Sequence, residues 1–332
     1  MIEASRAAPL ARRLRDLPVD IETVDVSVSE VDVPSYPDEP RPSSTVELRG
    51  RGRRGQGEHV GWSLDAHLQF QSMAPTFVGC GRSTVGAVSE SLARRCPEAY
   101  DRAAFEAAAI DLALRQADRW LGDLVDAPPV PTRYVVSFTP DGDPTEALRE
   151  ELGRDPTVDA KIDVDIGWDR TTLERLAATG RVAVLDWKCT GAPPQHALAH
   201  RLVPEAIHED PGPDPLAETP EVLRRSVDGP FLRARALDGA PPPAAANVKP
   251  GRMGGVLEAL DGVAHCAERG ISVYFGGMFE IGTGRRQLLD LATLLAPSGP
   301  NDIAPIALTR KRPDWRADLK PSRRPGFGAS GT

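Results

Sequence analysis

The stretch Asn247–Gly284, NVKPGRMGGVLEALDGVAHCAERGISVYFGGMFEIGTG, constrains this chain more than any other. A short strand ends in Lys249, and a Pro-Gly break stops it. A helical run with apolar residues near 3.6-residue spacing follows. A second strand, ISVYF, then ends in Gly-Gly-Met278-Phe-Glu280. That order is one β–α–β unit of a parallel sheet. Both strands deliver an ionisable residue at the carboxyl end, and in (β/α) barrels those ends form the active-site face. Lys249 and Glu280 are therefore expected to look into one pocket. A lysine placed there is either a base with a lowered pKa or a fixed cation for an acidic substrate.

The same alternation fills the second half of the chain. After a Pro-rich break at Pro128–Pro131, strands are predicted at RYVVSF, DAKIDVD, VAVLDWK, EAIHED, LRRSVD, ANVKP and ISVYFGG. Helical segments TEALREEL, TTLERLAA, HALAHRLV, VLEALDGVAHCAE and RRQLLDLATLL lie between most of them or follow the last, and the fourth helix, near Pro220–Leu223, is unusually short. This repetition suits a closed parallel barrel better than an open sheet. Upstream, VDIETVDVSVSEVDV alternates apolar and polar residues as one or two strands. A Pro-rich loop, Pro34–Ser44, leads into a hairpin turning near Gly50–Gly57, and Ser83–Leu124 is helical, most clearly AAFEAAAIDLALRQADRWLGDLV. The expected domains are an α+β domain over 1–128, a barrel over 129–300, and a polar, basic tail over 301–332 that packs across the two.

Composition excludes several classes. A chain of 332 residues, 40% hydrophobic, can bury a full core, and a net charge of −8 argues against a nucleic-acid footprint. Cys80, Cys96, Cys189 and Cys266 form no CxxC pair and read as reduced thiols of a cytoplasmic protein. MIEASRAAPLARRLRDL has no apolar signal core, and no stretch approaches the roughly 20 apolar residues of a membrane span.

The strand ends carry the chemistry. Strand two offers Lys161, Asp163 and Asp165; strand three, Asp186 and Lys188; strand four, His208, Glu209 and Asp210; strand five, Asp228; strand six, Lys249; strand seven, Glu280. Asp186, Glu209 and Asp228 recur about one β/α unit apart, so on strands ~4.8 Å apart their carboxylates converge. Bare carboxylates so placed repel one another and raise each other's pKa; a hard divalent cation such as Mg²⁺ removes the repulsion. Taken singly, each acid is more often a helix cap or loop charge; the run of three between lysines carries the functional reading.

The order lysine, acid, acid, acid, lysine on strands two to six resembles the enolase superfamily, and within it the muconate-lactonizing, o-succinylbenzoate synthase-like and dipeptide epimerase subgroup. NVKPGRMGG is similar to that subgroup's sixth-strand lysine motif, Glu209-Asp210-Pro211 to its fourth-strand Glu-x-Pro, and RAAFEAAAIDLAL to the helix preceding its barrel. The resemblance covers roughly residues 20–300 and implies a (β/α)7β TIM-like barrel with an N-terminal α+β capping domain. It also implies Mg²⁺, with Mn²⁺ as the alternative, held by Asp186, Glu209 and Asp228, and Lys161 and Lys249 on opposite faces of a small-molecule carboxylate. The implied chemistry is removal of a proton α to that carboxylate through an enediolate, as a racemase or epimerase, cycloisomerase or dehydratase. Barrels of this family often form homo-oligomers. Two other readings stand beside it: a barrel enzyme using Lys188 or Lys249 as a Schiff-base amine, and a degenerate barrel that binds without catalysing.

This chain departs from the pattern at two strands. Strand two normally carries Lys-x-Lys and here reads Lys161-Ile162-Asp163; either Lys161 takes the base position or Asp163 replaces it. Strand three normally carries Asp-x-Asn and here reads Asp186-Trp187-Lys188, so Lys188 should also enter the pocket, pairing with Glu209 or Asp163 or meeting a second substrate carboxylate. Asp228 is the expected third ligand and Asp238 the runner-up. Specificity is expected from the capping domain, through Pro34–Ser44 and His59–Ser72, with His67, Gln69 and Gln71 as contacts. Met278 and Glu280 are expected to line the substrate site, and Gly284–Arg286 to offer a helix start for an anionic group.

Overall fold

The computed structural model describes residues 3–31, 41–77, 79–217, 223–305 and 322–327. The first domain opens with helix α1 (Ala7–Arg15), which the sequence reading did not anticipate. Strand β1 (Pro18–Ile21) pairs antiparallel with β5 (Gly81–Thr84). Strands β2 (Thr23–Val31), β3 (Arg41–Gly50) and β4 (Arg53–His59) form a three-stranded antiparallel sheet. The alternating segment is thus two strands, and the hairpin turns at Arg51-Gly52, where both residues have positive φ. Helices α2 (Leu64–Phe77), α3 (Val85–Arg95) and α4 (Ala99–Gln116) cover the sheet. Alanines of α4 let it lie directly on β4. A Cβ on Gly55 would come within 2.2 Å of the Leu112 nitrogen, and one on Gly57 within 2.0 Å of the Ala104 oxygen. Only glycine permits that approach.

The second domain is a parallel barrel. Its strands are β6 (Tyr134–Phe138), β7 (Asp159–Asp163), β8 (Val182–Asp186), β9 (Ile207–Glu209), β10 (Arg225–Val227), β11 (Ala245–Val248), β12 (Ser272–Phe275) and β13 (Asn301–Pro305). The strand order runs β12-β11-β10-β9-β8-β7-β6-β13, and a parallel bridge between Gly276 and Asp302 closes the cylinder. Connecting helices are α5 (Pro144–Arg154), α6 (Arg170–Ala177), α7 (Pro193–Leu202), the single turn α8 (Pro250–Met253) with α9 (Val256–Glu268), and α10 (Thr283–Leu295). Among the described residues no helix joins β9 to β10 or β10 to β11. Those connections hold Pro211, Pro213, Pro215, Pro230 and Pro241–Pro243, which remove helix donors. The short fourth helix expected near Pro220 falls largely outside the described residues, as does the loop 32–40.

The eighth strand corrects the expected boundary at residue 300. Asn301–Pro305 is the barrel's closing strand, not a tail, and pairs parallel with β6. Residues 306–321 lie outside the described residues. Residues 322–327 pack on the first domain: Trp120 bridges Gly326, the Phe327 N–H donates to Asp111 Oδ1 at 3.0 Å, and the Phe327 ring is fully buried.

Two acids of the first domain cap helices of the barrel. Glu58 on β4 accepts N–H groups of Ile281, Gly282 and Gly284 at 2.8, 2.9 and 2.9 Å, at the start of α10. Glu106 on α4 accepts from Leu257 N–H at 2.9 Å, at the start of α9. A carboxylate satisfies donors that a helix N-terminus leaves unpaired. These bonds seat the capping domain over the barrel.

Candidate active site

Register places the acids. Asp163, Asp186 and Glu209 are successive lateral partners on β7, β8 and β9, so they stand level on the inner wall. Ser226 on β10 is level with Glu209, and Asp228 follows two residues on, facing the same way. Lys249 follows β11 directly. All are at the carboxyl ends of their strands. The backbone there is unusual: Lys188, Cys189, Asp210 and Phe279 have φ of 50°, 62°, 44° and 67°. Non-glycine residues in this region cluster where surrounding structure over-determines them, commonly at functional sites.

The structure brings the predicted residues together as an ion-pair network. Lys161 Nζ, its side chain 3% exposed, touches Glu209 Oε1, Asp186 Oδ2 at 3.1 Å and Asp302 Oδ2 at 3.0 Å. Lys188 Nζ touches Asp186 Oδ2 and lies 3.1 Å from Asp163 Oδ1. Lys249 Nζ is 2.9 Å from Asp228 Oδ2, and Arg252 donates to Asp228 Oδ1 at 2.8 Å. Asp210 accepts the N–H groups of Asp228 and Gly229 at 2.9 and 2.7 Å and so fixes the fifth-strand acid. Asp238 is exposed and paired with Arg235 and His265, which removes it as third ligand.

The charges settle unevenly. Burial pushes Glu209 up, and Asp186 and Asp228 add to this against the pull of Lys161, to about 8. Burial also works to raise Asp186, but the ammonium groups of Lys161 and Lys188 outweigh it and hold the acid well below the usual carboxylate range. Burial likewise opposes ionisation of Asp228, and Lys249 and Arg252 overcome it. Lys161 loses water on all sides, yet Asp186, Asp302 and Glu209 keep it firmly protonated.

A polar layer beneath these groups escaped the sequence reading. Tyr274 donates its hydroxyl to Glu209 Oε2, and Asn247 Nδ2 donates to the same oxygen at 3.1 Å. Tyr274 also meets Ser226 Oγ at 2.9 Å. Asn247 precedes Lys249 by two residues, so the strand's period of two placed it on the inner face; that signal was present in the sequence. Asp302 had no signal once Asn301–Pro305 was read as tail.

Several expected substrate contacts are engaged within the protein. His67 is fully buried on α2, bonded to Ser44 Oγ at 2.6 Å and Gly61 O at 3.1 Å, and burial pushes it down to about 4. It packs inside the capping domain, where its ring also meets His59 at the end of β4. Gln71 donates to Val26 O at 2.7 Å. Glu280 is buried, with Oε2 turned back to accept Met278 N–H at 2.7 Å; burial and the neighbouring Glu58 raise it to about 7. The Met278 carbonyl accepts from Arg41 at 2.9 Å and its sulfur lies 3.6 Å from Arg252. The α10 start expected to bind a substrate anion is taken by Glu58, and Arg285 donates to Ile303 O at 3.0 Å.

Asp186, Glu209 and Asp228 suit Mg²⁺ or Mn²⁺ in kind: hard carboxylate oxygens from three adjoining strands. Glu209, whose proton burial and then its acidic neighbours help to hold, is an acid that a dication would keep ionised. Ammonium and guanidinium groups contact these oxygens, and among the described residues no three such side chains are grouped as an ion would require. Each carboxylate retains further lone pairs. The donor set fits the ion in its chemistry; to bind, the ion would have to draw the three acids together and displace Lys188 from an Asp186 oxygen that Lys161 also contacts.

Family models described as "Domain of unknown function (DUF8230)", N-terminal and C-terminal domain, match residues 12–124 and 128–310. The chain is 32% identical over 169 residues to an N-succinylamino acid racemase of Amycolatopsis sp, covering 49% of this chain and 41% of that protein. It is 34% identical over 142 residues to an o-succinylbenzoate synthase of Geobacillus kaustophilus, covering 43% and 36%. It thus spans less than half the length of these relatives. Among solved structures, a dipeptide epimerase from Methylococcus capsulatus complexed with Mg ion superposes with TM-score 0.76 at 21% identity, over 93% of this chain and 99% of the other. The muconate lactonizing enzyme from Pseudomonas putida gives 0.69 at 15%, over 94% and 97%. Among the described residues no helix is long and apolar enough to cross a membrane.

Proposed function

We propose that this chain, which belongs to the DUF8230 family, is an enzyme of the enolase superfamily and removes a proton from the carbon α to a substrate carboxylate in an isomerisation or elimination. The observation that carries the reading is the level row Asp163, Asp186 and Glu209, continued by Asp228, with Lys188 at one end of the row and Lys249 at the other. Asp186, Glu209 and Asp228 are the residues that would hold Mg²⁺. When bound, the ion supplies Lewis acidity that stabilises charge developing on the substrate carboxylate.

The chain's own groups divide the remaining work. Lys249, positioned by Asp228, gives its proton to solvent and, as the neutral amine, takes the α-proton. Lys161 lies beneath three carboxylates and stays charged; its role is to hold Asp186, Glu209 and Asp302 in place. The ammonium that reaches the mouth on that side is Lys188, with its side chain 55% exposed. Lys188 therefore takes the face that the family resemblance gave to Lys161, and Asp163 orients it at 3.1 Å. Protonated Lys188 can return a proton to the opposite face, giving inversion, or protonate a leaving group, giving elimination. Capping by Glu58 and Glu106 keeps the first domain over the mouth and excludes water.

Small carboxylates are the substrate class, with N-succinyl amino acids and dipeptides the first to try because relatives and neighbours carry those names. The test is hydrogen–deuterium exchange at the α-carbon in D₂O with Mg²⁺, read by mass spectrometry across such a panel. Exchange should disappear in Lys249→Ala and in Glu209→Gln, with both variants folded. Exchange that persists in both variants overturns the reading.

A further inference from the structure

We infer that Lys188 is a displaceable internal cation of the metal site: its ammonium occupies Asp186 until a divalent ion arrives, and then turns toward the substrate side on its Asp163 anchor. The inference rests on the proposed metal-dependent reading and adds how the site opens.

Four cationic side chains contact the acids, and they differ in their freedom to leave. Lys161 is 3% exposed and tied to three carboxylates. Lys249 is 9% exposed, and Arg252 is 21% exposed, both on Asp228. Lys188 is 55% exposed, so its stem already runs through solvent. A dication and an ammonium on the same carboxylate oxygen repel. Lys161 and Lys188 both contact Asp186 Oδ2; the one that yields is the one with a hydrated way out, Lys188, while Lys161 is also held by Glu209 and Asp302 beneath.

Leaving Asp186 does not strand the ammonium. Asp163 Oδ1 is 3.1 Å away on the neighbouring strand and is level with Asp186. Lys188 can give up one carboxylate and keep the other. Its backbone is part of the device. The Lys188 N–H donates to Asp186 Oδ1 at 3.2 Å, and Lys188 and Cys189 are consecutive left-handed residues. The loop that carries the ammonium is thus bonded to the carboxylate that would hold the ion, and a change at Asp186 reaches Lys188 through both atoms. An ammonium that competes with the metal also weakens its binding, by an amount set by the Lys188–Asp186 contact.

Calorimetric titration of the full chain with MgCl₂ at low ionic strength tests this, on wild type, Lys188→Met and Lys188→Arg. Glu209→Gln serves as the site control, and circular dichroism confirms that each variant is folded. Lys188→Met keeps the stem and removes the charge; it should bind Mg²⁺ at least tenfold more tightly than wild type, about 1.4 kcal/mol. Lys188→Arg should bind no more tightly than wild type. Equal or weaker binding in Lys188→Met, with binding lost in Glu209→Gln, overturns the displacement while leaving the metal-dependent reading intact. Absence of binding in every form, Lys188→Met included, overturns the metal-dependent reading and the inference with it.

Discussion

Replacing Glu280 by Gln should stabilise the protein above neutral pH and not below pH 4.5. Burial and the nearby Glu58 lift Glu280 from 4.5 to about 7, with Lys249 opposing. In the unfolded chain this acid ionises near 4.5; in the folded chain it holds its proton until about 7. Below 4.5 both states are protonated and the group costs nothing. As pH rises from 4.5 to 7 the unfolded state is favoured by about 1.4 kcal/mol per pH unit, and the loss is complete above 7. The whole effect is about 3 kcal/mol. Glutamine keeps an oxygen to accept Met278 N–H, as the carboxyl does at 2.7 Å, and never ionises. The assay is thermal unfolding of wild type and Glu280→Gln from pH 4.5 to 8.5. Subtracting the two curves cancels Glu209, which also ionises late. At about 2 °C per kcal/mol for a chain this large, the difference in Tm should grow by roughly 6 °C across the range. A difference that stays flat, or that moves against the variant as pH rises, refutes a Glu280 that holds its proton to about 7 at the domain interface.

Glu58→Ala should leave the three α10 N–H groups without their acceptor and cost about 4 kcal/mol at roughly 1–3 kcal/mol per buried donor, seen as a lower Tm. Gly57→Ala forces a Cβ against the Ala104 carbonyl and should destabilise by about 2–4 kcal/mol, measured by urea unfolding. His67→Ala should lower Tm and leave KM for any accepted substrate unchanged, because His67 packs against Ser44 and Gly61 inside the capping domain; a large rise in KM with unchanged Tm would contradict this. Lys249→Ala should reduce turnover by at least a thousandfold while Tm stays within a few degrees, read from exchange kinetics and melting together.

The parts of the site legible in the sequence were those written into strand periodicity. Asp186, Glu209, Asp228 and Lys249 each stand at the end of a predicted strand, and the β/α repeat puts such ends at one mouth. Pairing was not legible. Nothing local indicates that Lys161 sinks beneath three acids while Lys188 stays at the surface; that follows from how far each residue stands along its strand. Asp302 was hidden because Asn301–Pro305 is short and precedes a polar stretch, so only its pairing with β6 marks it as a strand. His67 misled for the opposite reason. A histidine among polar residues reads as solvent-facing, but Ala66, His67 and Phe70 fall on a helix whose inner face takes His67 into the core. Glu58 carries no local signal, because its role depends on a helix more than two hundred residues later.

Residues on both sides of the barrel in sequence build the capping domain. Leu10 and Leu14 of α1 and the distant Phe327 share one apolar cluster, with Trp120 bridged to Gly326. The barrel is therefore, in chain order, an insertion within the cap. During synthesis, β6 through β13 emerge before Phe327, so the barrel can close while the cap still has an open apolar seat. That unfilled seat is an aggregation hazard of the nascent chain, and a chaperone site with a short lifetime.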